Sequence, residues 1–244
     1  MKNSNSTFPY IYFLALTLLL FYNCDKNEYQ TSKEDWISLF DGETFTGWKI
    51  YGAASDSISS KWEIENGTII ASREGDGPGK NTGFDESIIT VEQFENFELE
   101  LEFMISEGGN SGIMYHIIED STIPMDYYTG LEYQILDDNY FEGKVRDFQY
   151  TASVFGLYPP TLSNFNLAGE WNQASIMVNN GKTEHRLNGA LVLEFDRNSD
   201  EYNTAYEASQ WSQFPKWGEF QKGHISLQDH GDMVAFRKIR IRKL

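Results

Sequence analysis

The chain has 244 residues, 40% of them hydrophobic and 15% aromatic, enough apolar surface for one large sandwich or two small domains. Its formal charge of −18 repels phosphate backbones, which excludes a nucleic-acid partner on electrostatic grounds. The single cysteine, Cys24, leaves no partner for a disulfide within the chain and no basis for a cysteine zinc site.

Lys2 precedes an apolar run from Tyr10 to Tyr22, short for a bilayer span but suited to the core of a signal peptide. Cys24 follows at once, as the lipidated cysteine follows a bacterial lipoprotein signal. Residues 1–23 are therefore expected to be a signal peptide, and Cys24 the lipid attachment point. Residues 24–35, polar and aperiodic, are expected to form a flexible tether. This organisation implies an exported, periplasmic or cell-surface lipoprotein anchored to a membrane, with one domain over residues 36–244.

From Trp36 onward apolar and polar residues alternate in short runs broken by Gly and Asn, which predicts antiparallel strands and no helix. Candidates in chain order are residues 61–65, 68–72, 97–105, 112–118 and 130–136, a meander over 174–195, and then residues 223–228 and 234–244. Asn66-Gly67, Asn180-Gly181 and Asn188-Gly189 supply the positive φ pairs of type I′ hairpin turns. About ten strands with no linker predict an all-β jelly-roll sandwich of two antiparallel sheets. Residues 74–83 are Gly-rich, but their Gly and Lys spacing is wrong for a phosphate-binding loop.

Alternation groups the polar side chains. Met114 and His116 should share a face opposite Ile113, Tyr115 and Ile117; Glu132 and Gln134 a face opposite Tyr133 and Ile135; and His224, Ser226 and Gln228 a face opposite Ile225 and Leu227. Should these faces join on one sheet, they form a polar hollow. Strand ends add the carboxylates Asp137 and Asp138, and the run Asp229-His230-Gly231, in which a carboxylate beside an imidazole is standard equipment for a general base. Asp137-Asp138-Asn139 also offers oxygen ligands for a divalent cation, although without a recognisable calcium-loop spacing. Glu98, Glu100 and Glu102 place three carboxylates on one strand face, as paired-carboxylate glycosidases do, yet this is also how any half-solvated strand reads. Nucleophile elbows, His-Glu-x-x-His pairs and dinucleotide fingerprints are missing from the sequence.

Taken in order, Ser38-Leu-Phe-Asp-Gly-Glu-Thr-Phe-Thr-Gly-Trp48, Trp62-Glu-Ile-Glu-Asn-Gly67, Gly109-Asn-Ser-Gly-Ile113, Gly130-Leu-Glu-Tyr-Gln-Ile-Leu-Asp-Asp138, Gly169-Glu-Trp-Asn172, Leu187-Asn-Gly189 and Gly223-His-Ile-Ser-Leu-Gln-Asp-His-Gly231 resemble the 3-keto-disaccharide hydrolase family. The resemblance covers residues 36–244. It implies a concanavalin-like sandwich, a lipoprotein of carbohydrate-degrading bacteria, and cleavage of glycosides already oxidised at C3 of a sugar ring.

A C3 ketone acidifies the C2 hydrogen, so a base can remove it and expel the C1 oxygen; water then adds to the enone. Such a route needs a base, an acid and donors for the enolate oxygen. The expected assignment is His230 as base oriented by Asp229, and Glu132 as acid or second base. Substrate contacts are expected from Gln134, Gln228, His116, Asp137, Asp138 and His185. A divalent cation is a possible Lewis acid drawn from the same residues. The competing reading is a non-catalytic carbohydrate-binding lipoprotein presenting Trp211, Trp217 and Tyr158 to a glycan.

Overall fold

The computed structural model describes residue 1 and residues 36–54, 57–71 and 86–244. The expected signal peptide, Cys24, the tether and the Gly-rich segment 74–83 lie outside the described residues.

Thirteen strands are described: β1 (Ile37–Ser38), β2 (Trp48–Ile50), β3 (Trp62–Glu65), β4 (Thr68–Ala71), β5 (Ile88–Thr90), β6 (Phe97–Ile105), β7 (Asn110–Ile117), β8 (Leu131–Leu136), β9 (Asn172–Asn179), β10 (Lys182–Leu187), β11 (Ala190–Asp196), β12 (His224–Leu227) and β13 (Val234–Lys243). They form two antiparallel sheets. The larger runs β11-β10-β9-β6-β13-β4-β3, with β1 also paired to β13, and the smaller runs β2-β5-β12-β7-β8. The expected sandwich is therefore present. All three Asn-Gly pairs make their hairpins, with φ at Asn66, Asn180 and Asn188 of 50° and at Gly67, Gly181 and Gly189 of 74°, 88° and 81°, the left-handed region that these residues tolerate.

β6 shows why these sequences settle as they do. Phe97, Leu99, Leu101, Phe103 and Ile105 point into the core, while the residues between them are half-exposed. Removing one large ring there, as in Phe103→Ala, would cost about 3–5 kcal/mol. Glu98, Glu100 and Glu102 lie on the outer face and pair across to β13, where Glu98 accepts from Arg242 Nε at 2.7 Å, Glu100 from Arg240 Nε at 2.9 Å and Glu102 from Arg237 Nε at 2.6 Å. These carboxylates belong to an ion-pair ladder on a solvated face.

Two expectations are corrected. A helix, α1 (Asp200–Ala208), was not foreseen. Ser199 caps it by accepting from Tyr202 N at 3.1 Å, and Asp200 and Glu201 occupy its first turn, where acidic groups suit the helix dipole. Tyr202 is its one buried residue, so no apolar stripe announces it. The second correction is at His116, whose φ is +60°. His224 pairs with Ile117 and Ile225 with Tyr115, leaving His116 as the extra residue of a bulge. The alternation breaks there, and His116 does not share the face of Met114.

Candidate functional site

β12, β7 and β8 are consecutive in the smaller sheet. Their inward residues, among them Ile113, Tyr115, Tyr133, Ile135, Ile225 and Leu227, join the core. The alternating partners of these residues fall on the other face, where Glu132 sits beside Met114 and Met114 beside Ser226, and Gln134 beside Gly112. Gly112 is small for a reason. A Cβ at that position would lie 3.0 Å from both Cγ and Cδ of Glu132 and nearer still to Oε1, so the glycine makes room for the carboxyl.

Over this face lies a hollow of about 350 Å³ lined by Asn110, Glu132, Gln134, Gln228 and His230, together with Tyr127, Tyr128, Phe155, Trp211 and Phe214. That volume falls within the range of about 300–1,000 Å³ typical of small-molecule sites. Glu132, Gln134, Gln228 and His230, spread over a hundred residues of chain, are thus brought together. Side-chain contacts through Asn110 link three of them, Glu132, Gln134 and His230. With its nitrogen turned toward the strand, the Gln134 amide donates to Glu132 Oε1 at 3.0 Å and to Ser111 O at 3.1 Å, and its oxygen lies 3.1 Å from Asn110 Oδ1. Asn110 in turn lies 3.1 Å from His230 Nε2. Buried Gln228 Oε1 has no hydrogen-bond partner among the described residues, which suits an incoming hydroxyl.

Burial pushes Glu132 and His230 in opposite directions. Desolvation, with a smaller contribution from the charge of Asp126, raises Glu132 to about 8. Desolvation lowers His230 to about 4. At neutral pH the carboxyl is mostly protonated and the imidazole neutral: a proton donor and a proton acceptor share one cavity.

The remaining expected residues are placed elsewhere. Asp229 is buried beside the hollow, in a small recess with Asp126, Tyr51 and Ser87. Its Oδ1 accepts from Gly231 N at 2.9 Å, and the described partner of His230 Nε2 is Asn110. His116 is sealed between the sheets, edge-on to Phe97, with Nε2 2.9 Å from Glu95 O and Nδ1 2.8 Å from Arg197. His185 bridges the sheets, with Nδ1 2.9 Å from Ala152 O and Nε2 3.0 Å from Tyr115 Oη. Burial holds both rings neutral, at about 4. Neither lines the hollow: the bulge turned His116 inward, and His185 belongs to the opposing sheet. Asp137 ties down loops through Gly108 N and Tyr140 N, and Asp138 accepts from Thr151 N at the edge of a separate groove. Among the described residues no group of three or more His, Cys, Asp or Glu side chains is placed to hold a metal ion.

Sequence reasoning missed Asn110 and Asp126. Asn110 was visible inside the Gly109-Asn-Ser-Gly motif, at the start of a strand. Asp126 opens a short 3-10 turn and accepts from Ser226 Oγ at 2.7 Å and Tyr127 N at 2.9 Å; no periodic signal marks it. The expected aromatic platform is corrected too. Trp211 lines the hollow, but Trp217 is 3% exposed and stacked behind it at 5.0 Å. Tyr158 packs on Phe195.

A two-sheet sandwich whose outer face carries a polar hollow with an acid and a base is fitted to bind and act on a small polar molecule. Residues 35–242 match the family described as the 3-keto-alpha-glucoside-1,2-lyase-like domain, and the chain belongs to that family. It is 36% identical over 242 residues to a Bacteroides thetaiotaomicron protein named 3-keto-disaccharide hydrolase, covering 90% of this chain and 82% of the relative. A crystal structure of a candidate glycosyl hydrolase from Parabacteroides distasonis superposes with a TM-score of 0.75 at 31% identity, covering 86% of this chain and 94% of that one. A second from the same organism gives 0.63 at 25% identity, covering 86% and 99%.

Proposed function

We propose that this protein cleaves the glycosidic bond of glycosides carrying a ketone at C3, by proton abstraction at C2 and β-elimination followed by hydration of the enone. The observation that carries the reading is the pairing, in one hollow, of a protonated Glu132 with a neutral His230. His230 removes the C2 proton, and the electron pair passes into the C3 carbonyl as an enolate. As the enolate collapses, the C1–O bond breaks, and Glu132 protonates the departing oxygen. Both N–H groups of Gln134 are held by Glu132 and Ser111, so the Asn110 and Gln228 amides are the groups that meet the developing enolate oxygen and the ring hydroxyls. Water adding across C1–C2 completes a net hydrolysis. One carboxyl only, that of Glu132, lines the hollow among the described residues, which favours this route over a double-carboxylate mechanism.

The relative's name, 3-keto-disaccharide hydrolase, supports the substrate class. The apolar run and Cys24 support a reading of the chain as an exported enzyme of the cell envelope with a lipid anchor at that cysteine. The test is turnover of a 3-keto-glucoside by the wild type, Glu132→Gln and His230→Ala. Each variant should lose at least about a hundredfold in kcat, with C2 proton exchange into deuterated water also lost in His230→Ala. Near-normal rates in both variants would refute the assignment.

A further inference from the structure

The walls of the hollow differ in kind. On the polar side, the face of β8 runs from Glu132 to Gln134, a step of roughly 6.7 Å, and Asn110 and His230 lie beyond. On the other side, the chain leaving Glu132 toward its N-terminus enters the 3-10 turn Asp126–Tyr128. The outer edge of β8 meets Phe155, whose N–H donates to Glu132 O at 3.1 Å. Trp211 donates from Nε1 to Phe155 O at 2.7 Å, and Phe214 stacks on Tyr128 at 4.6 Å with an 18° interplanar angle. Phe214 and Trp211 are themselves in contact at 6.0 Å between ring centres. The carboxyl of Glu132 therefore stands at the boundary between an amide-rich floor and a braced aromatic wall.

Resting on the reaction proposed above, this order of side chains orients the substrate. The acid, at one end of the polar row, must meet the oxygen on C1, while the base and the free amides, all on its other side, take C2 and the C3 oxygen. Hence the C1 substituent points past Glu132, away from His230. We infer that the aromatic wall is the leaving-group subsite, and that it selects glycosides whose departing alcohol carries a flat, apolar ring over those that release a second sugar. Half-buried Tyr127, Tyr128, Phe155 and Phe214 offer such a ring aromatic surface, and Gln210 and Gln213 also line the hollow.

Benzyl, methyl and glucosyl 3-keto-glucosides test this, because all three release aliphatic alcohols and so differ mainly in what the wall must hold. The benzyl compound should exceed the other two in kcat/KM by at least about tenfold, the discrimination one apolar group commonly provides. In Phe214→Ala, and separately in Tyr128→Ala, the benzyl-to-methyl ratio should fall toward one. Equal or greater kcat/KM for the glucosyl compound, or a ratio unchanged in both variants, would overturn the inference and leave the reaction intact. Should none of the three be cleaved, the reaction fails first, and calorimetry with unoxidised benzyl and methyl glucosides decides the subsite: tighter benzyl binding that is lost in Phe214→Ala supports it, and equal binding sinks it.

Discussion

Gly112→Ala separates the site from the fold. The backbone at Gly112 lies outside the positive-φ positions, so alanine costs no strain there, and gaining a Cβ in a strand tends to stabilise by about 0.4–1 kcal/mol through the unfolded state. The new methyl would nevertheless approach Cγ and Cδ of Glu132 to 3.0 Å, against an ordinary contact of 3.4 Å or more. Glu132 must retreat by about half an ångström at Cδ and by more at its oxygen. Because the atoms struck are the far end of a flexible side chain, the protein should keep its Tm to within a few degrees. Activity should not survive so well. A catalytic group displaced by about 1 Å costs on the order of a hundredfold, so a loss of kcat between about tenfold and a hundredfold is expected. Thermal unfolding by circular dichroism and turnover of a 3-keto-glucoside together make the assay. Wild-type kcat in a well-folded variant would show that the Glu132 position does not matter, and the acid assignment would fall with it.

The pH profile of kcat/KM should be bell-shaped, rising as His230 loses its proton near pH 4 and falling as Glu132 ionises near pH 8; a flat profile through pH 9 would exclude Glu132 as the acid. Asp126→Asn removes the negative neighbour that helps raise Glu132, so the alkaline limb should move to lower pH, and a limb that stays or moves upward would contradict that coupling. For stability the sign is equally definite. Glu132 has a folded pKa above its unfolded value near 4.5, so the native state binds the extra proton and loses stability as pH rises from about 4.5 through 8. Glu132→Gln should therefore raise Tm relative to wild type more at pH 9 than at pH 5; the opposite order would refute the burial argument. In the hairpin turns, Gly189→Ala meets open space and carries only the left-handed backbone penalty of about 1–2 kcal/mol. Gly181→Ala adds a collision with Asn198, so urea titration should find it the less stable of the two.

Much of this molecule could be read from its residues because alternation is a local rule. The hairpins at Asn180 and Asn188 followed from Asn-Gly turn chemistry, and the two faces of β6, the common face of Glu132 and Gln134 on β8 and the face of Gln228 beside β12 from a period of two. Where a single residue breaks the period, that reading fails, and His116 is the example: one left-handed residue in a bulge sends an imidazole to the core that counting assigns to the site. His185 failed for another reason, since periodicity gives the face of a strand but not which sheet it joins. Asn110, Asp126 and the aromatic wall come from strand ends and short turns, where no repeat exists to read. The family resemblance supplied what the pattern lacked, a chemistry, but it did not supply the side of the molecule on which each histidine lies.

The division between floor and wall has a bearing on how such a domain diversifies. The polar side chains of the hollow stand on three hydrogen-bonded strands of the smaller sheet or directly after them, whereas its aromatic rings are carried by two short turns and the segment along the outer edge of β8. Loops of that kind accept insertion and exchange with little cost to the rest of a protein. One polar floor can thus be refitted to new ligands by rewriting a few surface segments, and a designer wishing to redirect it would begin with residues 126–128 and 210–214.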